Sequence, residues 1–405
     1  MSETNIQVYG SRWKVLLLFM FINITMQILW ITFASITIEA AGFYEVAELD
    51  ILLLSLVFMI AYIPVTFLAS WIIDKYDFRI GAGIGAVLAG IFGFLRFFAG
   101  NDYTLVLIFQ IGIAIGQPFI LNSITRLSAN WFPESERTTA TGLSMISQFI
   151  GIMLGVLITP FIFDAFDIPI TILIYGILAL ISGACFVIFT KNKPPTPPSI
   201  EISKEKVLMG QGLKQIFVNR YFIILFVTFF FGLGIFNFIT SYIELIVAPR
   251  GFDPTEAGIL GGLMLIGGIV GCVIMSALSD KYKKRKILLI ISIIIATISL
   301  SVITFSADPI LLYLFSFLLG YGILSAGPVA LEYAVDLTEP VPEATSNGLL
   351  LMIGQVGGII FILFFEGFTT PLGDYFPTLL LESIFLLIVL IMVFFLKEKS
   401  NLKST

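Results

Sequence analysis

Apolar runs of about two dozen residues, broken by short polar clusters, fill almost the whole chain. Runs of this length, without the two-residue alternation of a membrane strand, predict helices able to cross a bilayer, which takes about 20 apolar residues. The boundaries fall near 15–38, 51–73, 80–99, 103–129, 138–163 and 168–190, then near 221–247, 256–278, 287–305, 309–335, 344–368 and 376–396. Between the two sets lies the one long polar stretch, 191–220. It opens with Lys193-Pro-Pro-Thr-Pro-Pro, a stiff extended spacer. The expected plan is an N-terminal six-helix half over 1–190, a cytoplasmic linker over 191–220 and a C-terminal six-helix half over 221–405. The first run is too long for the apolar core of a cleaved signal, about 7–15 residues, and reads as a retained helix.

Composition sharpens this picture by removing the alternatives. With 58% hydrophobic and 12% charged residues and a mean hydropathy of +1.04, the chain lacks the polar surface to cover a soluble globule. The fold class predicted is therefore all-α and membrane-embedded. There is no histidine, which removes the commonest metal ligand and general base. Cys185 and Cys272 lie inside apolar runs and read as small buried hydrophobes. No cofactor, metal or nucleic acid is expected, and no catalytic constellation is visible.

Charge then orients the helices, because Lys and Arg favour the cytoplasmic side. With both termini inside, Arg12, Lys14, Lys75, Arg79, Arg126, Arg137, Lys281–Lys286 and the linker and C-terminal lysines are all cytoplasmic. Only Arg96 and Arg250 remain outside, among Glu45, Glu48, Asp50, Asp102, Asp167, Asp253 and Asp308. The expectation is a multi-pass protein of the cell membrane, acting as a monomer whose partners are the bilayer and a small solute.

One stretch occurs twice. Ser70-Trp-Ile-Ile-Asp-Lys-Tyr-Asp-Phe-Arg79 is echoed by Ser276-Ala-Leu-Ser-Asp-Lys-Tyr-Lys-Lys-Arg285, so Asp280 answers Asp74 at an offset of 206 (280 − 74), about half the 405-residue chain. Such spacing marks internal duplication. Two six-helix halves, each with a basic-rimmed Asp loop after its second helix, resemble the major facilitator superfamily. The loop signature of that family carries glycines where this chain has Ser70 and Asp77, and Ser276 and Lys283.

A closer resemblance is carried by Ser11-Arg-Trp-Lys-Val-Leu-Leu-Leu-Phe19 with Trp30-Ile31, by Gln117-Pro-Phe-Ile-Leu121 with Arg126, Trp131-Phe132, Glu136, Gln148 and Pro160, and by Glu332-Tyr-Ala-Val-Asp-Leu-Thr-Glu-Pro340 with Thr345–Leu350 and Gln355. These segments are similar to the feline leukaemia virus subgroup C receptor family of choline, ethanolamine and haem-associated transporters. The resemblance implies that Trp30 stands where the family's choline-binding tryptophan lies. The family's seventh-helix aromatic falls here at or near Asn237. The missing long polar tails point to a prokaryotic relative.

Polar side chains in lipid are costly unless they face protein or water, so polar stripes mark the expected path. Asn23, Gln27 and Trp30 share one face of the first helix; Thr141, Ser144 and Gln148 do so on the fifth, with Gly151 and Gly155 thinning the wall beyond. Asn237, Thr240, Ser241 and Glu244 line the seventh, and Gln355 sits among glycines on the eleventh. Gln148 and Gln355 lie roughly 15 Å from their helix starts, near the midplane. The resemblance makes these four the cavity helices. Asn23, Gln27, Trp30, Gln117, Gln148, Asn237 and Gln355 are thus the candidate substrate residues. For any one of them the alternative is an ordinary helix-to-helix hydrogen bond.

With no acid deep among those helices, the expected solute is one that sheds water cheaply, an organic cation or amine such as choline or ethanolamine held on the Trp30 indole. Facilitated diffusion or exchange is the expected mode. A proton-coupled or multispecific drug or metabolite exporter is the alternative, and a haem exporter or non-transport receptor stands further off. Glu39, Asp164, Glu244 and Glu366 lie near outer helix ends and Glu382 a few residues deeper in the last helix, and all read as rim acids that snorkel to water. Asp74, Lys75, Arg79, Arg126, Asp280, Lys281 and Glu332 are candidate gating residues, Arg126 expected to pair with Asp74 and Glu332 to face Lys281 and Arg285.

Overall fold

The computed structural model describes residues 8–196, 216–282, 284–338, 343–370 and 373–397. Much of the 191–220 linker, and residues Lys283 and Pro340, therefore lie outside the described residues, as does the side chain of Asp280. The chain divides into two compact units, Met1–Ser203 and Lys204–Thr405.

The first unit runs α1 (Ser11–Ile31), α2 (Thr37–Tyr44), α3 (Glu48–Tyr76), α4 (Phe78–Leu95) with a 3₁₀ turn at Arg96–Ala99, α5 (Tyr103–Leu121), α6 (Ile124–Trp131) and α7 (Glu134–Phe189). Within α7 the backbone leaves the helical region at Asp167 (φ 65°, ψ 173°), so it is two membrane-length helices joined at a kink. The second unit runs α8 (Arg220–Ser241), α9 (Ile243–Val247), a 3₁₀ turn at Ala248–Arg250, α10 (Pro254–Tyr282), α11 (Arg285–Phe305), α12 (Pro309–Thr338), α13 (Glu343–Phe365) and α14 (Phe376–Phe394). Eleven of these stretches are long and apolar enough to span a membrane, and the kink makes the longest of them two. The expected first helix is shorter than predicted: a turn at Thr32–Ile36 ends α1 and starts α2.

Local chemistry sets the ends. Asp102 accepts from the Leu105 N–H at 3.1 Å and Asn219 from the Tyr221 N–H at 3.0 Å, each satisfying a donor that the first helical turn leaves free. Pro118 sits three residues before α5 stops, where a missing N–H and a bulky ring disfavour continuation. Outward faces are apolar: Ile188 is 67% and Ile310 75% exposed, which suits lipid and not water.

Packing within each unit repeats at the 206-residue offset. In the first, α1 lies along the first part of α7; in the second, α8 lies along α13. A Cβ on Gly151 would stand 2.4 Å from the Ile24 carbonyl oxygen, and one on Gly357 2.2 Å from that of Phe230. Gly357 and Phe230 are Gly151 and Ile24 shifted by 206 (357 − 151 and 230 − 24). The Gly151 stretch does not thin a cavity wall, as expected from sequence. It lets α7 reach the α1 backbone, and Gly155 does likewise against Ile28 and Ile31.

Candidate functional site

The polar residues of α1 fan out to three different helices. Asn23, fully buried, donates to the Ser144 carbonyl at 2.9 Å and to Ser147 Oγ at 2.8 Å on α7, while its own Oδ1 accepts from no described group. One turn on, Gln27 accepts at 3.4 Å from Gln117 Nε2 on α5, and its Nε2 is buried without a partner. Trp30 is 6% exposed and donates from Nε1 to the Ser55 carbonyl of α3 at 3.1 Å; Ser55 Oγ donates back to the Trp30 carbonyl. The predicted single face therefore meets three different helices. Asn23 serves mainly as the α1–α7 clasp, whereas Gln27, Gln117 and Trp30 form a buried polar and aromatic row.

Gln148 on α7 and Gln355 on α13 are half-buried. In the second unit Asn237, Thr240, Ser241 and Glu244 are all buried, so this stripe faces protein interior along its whole length. Glu244 and Glu382, at 1% and 0% exposure, do not reach water at a rim. Helix packing encloses them, and both Glu382 oxygens are buried without a described partner. Asp164 and Glu366 are exposed as expected.

The repeated loop is built differently from the expectation. Asp74 is on the exposed side of α3, and Arg126 does not pair with it. α3 ends at Tyr76 and the chain reverses at Asp77 (φ 75°, ψ 170°), a conformation essentially reserved for glycine and the place where the family signature carries one. That reversal turns the Asp77 carboxylate inward. Its Oδ1 accepts from the Phe78 N–H at 2.9 Å, Asn130 Nδ2 at 2.6 Å and Arg126 Nε at 3.2 Å, and Lys193 Nζ lies 3.4 Å from Oδ2. Burial alone would raise the pKa of this carboxyl, but these donors outweigh it and hold the group below the usual carboxylate value.

In the second unit the charges are exchanged. Arg285 is 8% exposed and binds Glu332 Oε2 at 3.0 Å, the Glu332 carbonyl and the Asp336 carboxylate. Arg126 and Asn130 map onto Glu332 and Asp336 at the duplication offset (332 − 126 and 336 − 130, both 206). Each loop thus offers one charged group to the i and i+4 positions of a later helix, an acid to a base and an amide in one half and a base to two acids in the other. Glu332 faces Arg285 as expected. Lys75 and Lys281 do not join these clusters; their Nζ atoms lie 5.0 Å and 5.3 Å from the rings of the adjacent Tyr76 and Tyr282. Arg79 donates to the Val187 carbonyl at 3.2 Å.

Sequence reasoning missed Arg96. It is fully buried at the end of α4, donating from Nη1 to Gln110 Oε1 at 2.9 Å and the Leu29 carbonyl at 3.4 Å. Its one signal was being one of two basic residues on an otherwise acidic side.

Comparison with known proteins supports the architecture. The sequence profile described as Major Facilitator Superfamily matches residues 15–362 and 246–405. The chain belongs to the Major Facilitator Superfamily. This membrane transporter is 31% identical over 397 residues to Solute carrier family 49 member A3 of Xenopus tropicalis, covering 93% of the chain and 82% of that relative. It is 27% identical to Choline/ethanolamine transporter flvcr2a of Danio rerio, covering 98% and 88%. Its fold superposes on a bacterial homolog of the human lysosomal transporter Spinster with a TM-score of 0.75 at 14% identity, covering 96% of this transporter and 97% of that chain. The all-α twelve-helix major facilitator fold, two pseudo-symmetric six-helix bundles, is thereby its fold.

Proposed function

We propose that this transporter moves a small organic cation or amine, choline-like or ethanolamine-like, by facilitated diffusion or exchange across the cell membrane, with both termini cytoplasmic. The observation that carries the reading is the setting of Trp30. Its only polar atom is committed to the Ser55 carbonyl, so what the indole has left to offer a solute is its π surface. A quaternary ammonium suits such a surface, because it is poorly hydrated and is attracted to an aromatic face by about 2 kcal/mol when desolvated. Gln27 and Gln117 beside it supply amide dipoles in place of a carboxylate, as do Gln148, Asn237 and Gln355 in the proposed path. The names of the Danio rerio relative and of Choline/ethanolamine transporter FLVCR1 of Felis catus, 28% identical, support the same solute class. Asp77 with Arg126, and Arg285 with Glu332, are proposed as clusters whose pairings change during alternating access, in place of the Asp74 pairing.

The test is uptake of labelled choline and ethanolamine into liposomes holding purified protein. Saturable uptake is expected, with Trp30→Ala weakening apparent affinity roughly thirtyfold, the equivalent of about 2 kcal/mol. Equal uptake by wild type and Trp30→Ala refutes the assignment. A second reading, proton coupling, is favoured by the enclosed Glu382 carboxyl. Uptake driven by a pH gradient in wild type and lost in Glu382→Gln would select it.

A further inference from the structure

The N-terminal unit contains a cation whose charge nothing in the transport reading uses. Arg96 is 0% exposed, at the junction of α4 and its 3₁₀ turn. Among the described residues no carboxylate pairs with it; Nη1 is used by Gln110 and Leu29, and Nε and Nη2 are buried without partners. Gln110 cannot turn to neutralise it further. Its Oε1 is already the acceptor for Arg96, and its Nε2 donates to the Leu29 and Leu54 carbonyls at 3.2 Å and 3.0 Å.

A second unpartnered group lies near Arg96. The Tyr44 hydroxyl of α2 is also buried without a partner. Tyr44 packs edge-on against Phe33 (centroids 6.2 Å apart), and the Arg96 guanidinium carbon lies 6.0 Å from the centroid of that same ring. Both side chains thus lie against the Phe33 ring, and Tyr44 is within electrostatic reach of Arg96. Tyr175 of α7, also within electrostatic reach of Arg96, has its hydroxyl committed to Thr159 Oγ1 at 2.8 Å. The free groups here are donors: two guanidinium N–H directions and a phenol O–H. Buried charge is normally paired, and a cluster of unpaired donors around a cation is complementary to an anion.

We propose that Arg96 and Tyr44 form a binding site for a small monovalent anion, of chloride size and charge, at the end of α4. An anion there accepts from Arg96 Nε and Nη2 and from the Tyr44 hydroxyl, and it neutralises a guanidinium that lipid and helix packing exclude from water. The site touches α1 through Leu29, the residue before Trp30, yet its occupancy requires no transported solute. Its test is therefore separate from the reading of Trp30.

The experiment uses purified full-length protein in detergent. Sodium gluconate is replaced stepwise by sodium chloride at constant ionic strength while thermal unfolding is followed, since a ligand that binds only the folded state raises its melting temperature. Wild type is expected to show a saturating, chloride-dependent rise. Tyr44→Phe keeps the ring against Phe33 and removes one donor to the anion, so its midpoint is expected at about tenfold higher chloride. Arg96→Gln is expected to show no rise. Should Arg96→Gln fail to fold, the wild-type and Tyr44→Phe titrations decide alone. A rise that does not saturate, or a midpoint identical in wild type and Tyr44→Phe, overturns the proposal.

Discussion

Replacing Asp77 separates two forces that act on one residue, its backbone conformation and its carboxylate. The conformation at φ 75° and ψ 170° costs a residue with a Cβ about 1–3 kcal/mol, and that cost is shared by Asp and Ala but absent for Gly. Against it stand the carboxylate's bonds. Capping the Phe78 N–H contributes about 1 kcal/mol. The buried Asn130 amide, donating to a charged acceptor at 2.6 Å, contributes about 1.5–3 kcal/mol. Arg126 and Lys193 are 36% and 57% exposed, so their pairs with Asp77 add about 1 kcal/mol or less together. Asp77→Ala loses all of the bonds and keeps the strain, for a destabilisation of about 3–5 kcal/mol. Asp77→Gly loses the same bonds but relieves the strain, partly offset by the greater freedom of glycine in the unfolded chain, about 0.4–1 kcal/mol. Its cost is therefore smaller than that of Ala by about 1 kcal/mol. Asp77→Asn keeps the cap and the strain and loses the charge, for about 1–2 kcal/mol. Melting temperatures in detergent should fall in the order wild type, Asn, Gly, Ala. If Ala is as stable as Gly, the strain does not exist as described; if Asn matches wild type, the charge contributes nothing.

The same carboxyl predicts a pH dependence. Its folded pKa lies below the ordinary 3.8, so its stabilisation is fully present above that value and is lost as pH falls through the folded value. The gap in melting temperature between wild type and Asp77→Asn should be constant at neutral pH and close below pH 3.8. Gly151→Ala should destabilise by about 1–3 kcal/mol, because the new Cβ meets the Ile24 carbonyl at 2.4 Å, whereas Gly142→Ala in the same helix meets nothing within 4 Å and should stabilise by up to about 1 kcal/mol. Equal melting shifts for the two would refute the close α1–α7 approach. Glu382→Met should raise the melting temperature if the enclosed carboxyl has no partner, since a buried polar group without a hydrogen bond costs about 1–3 kcal/mol; a fall would reveal a partner.

Helix number and the duplication were legible because length, periodicity and a repeated motif are local properties of the chain. What lay beyond the sequence was which helix each polar face would meet. Asn23, Gln27 and Trp30 share a stripe by spacing, yet they bond to Ser147, Gln117 and Ser55, residues on three helices. Asp74 is the acid that the motif offers to Arg126, but the turn at Asp77 decides which carboxylate faces inward. The burial of Arg96, Glu244 and Glu382 has a related cause: a position near a helix end does not place a side chain near water, because packing around those ends is a tertiary property.

The clasp between Asn23 and Ser147 also bears on how the protein is made. The two residues are 124 positions apart, and at roughly 5–20 residues per second α1 emerges about 6–25 seconds before the helix that receives its amide. For that interval Asn23 is without Ser147, and for most of it Gln27 is without Gln117, which is 90 positions on. The insertion machinery, lipid headgroups or water must hold them until α5 and α7 arrive. The first half thus cannot close its bundle one hairpin at a time, and a ribosome stalled before Gln117 leaves behind a helix whose Asn23 and Gln27 amides both lack these partners.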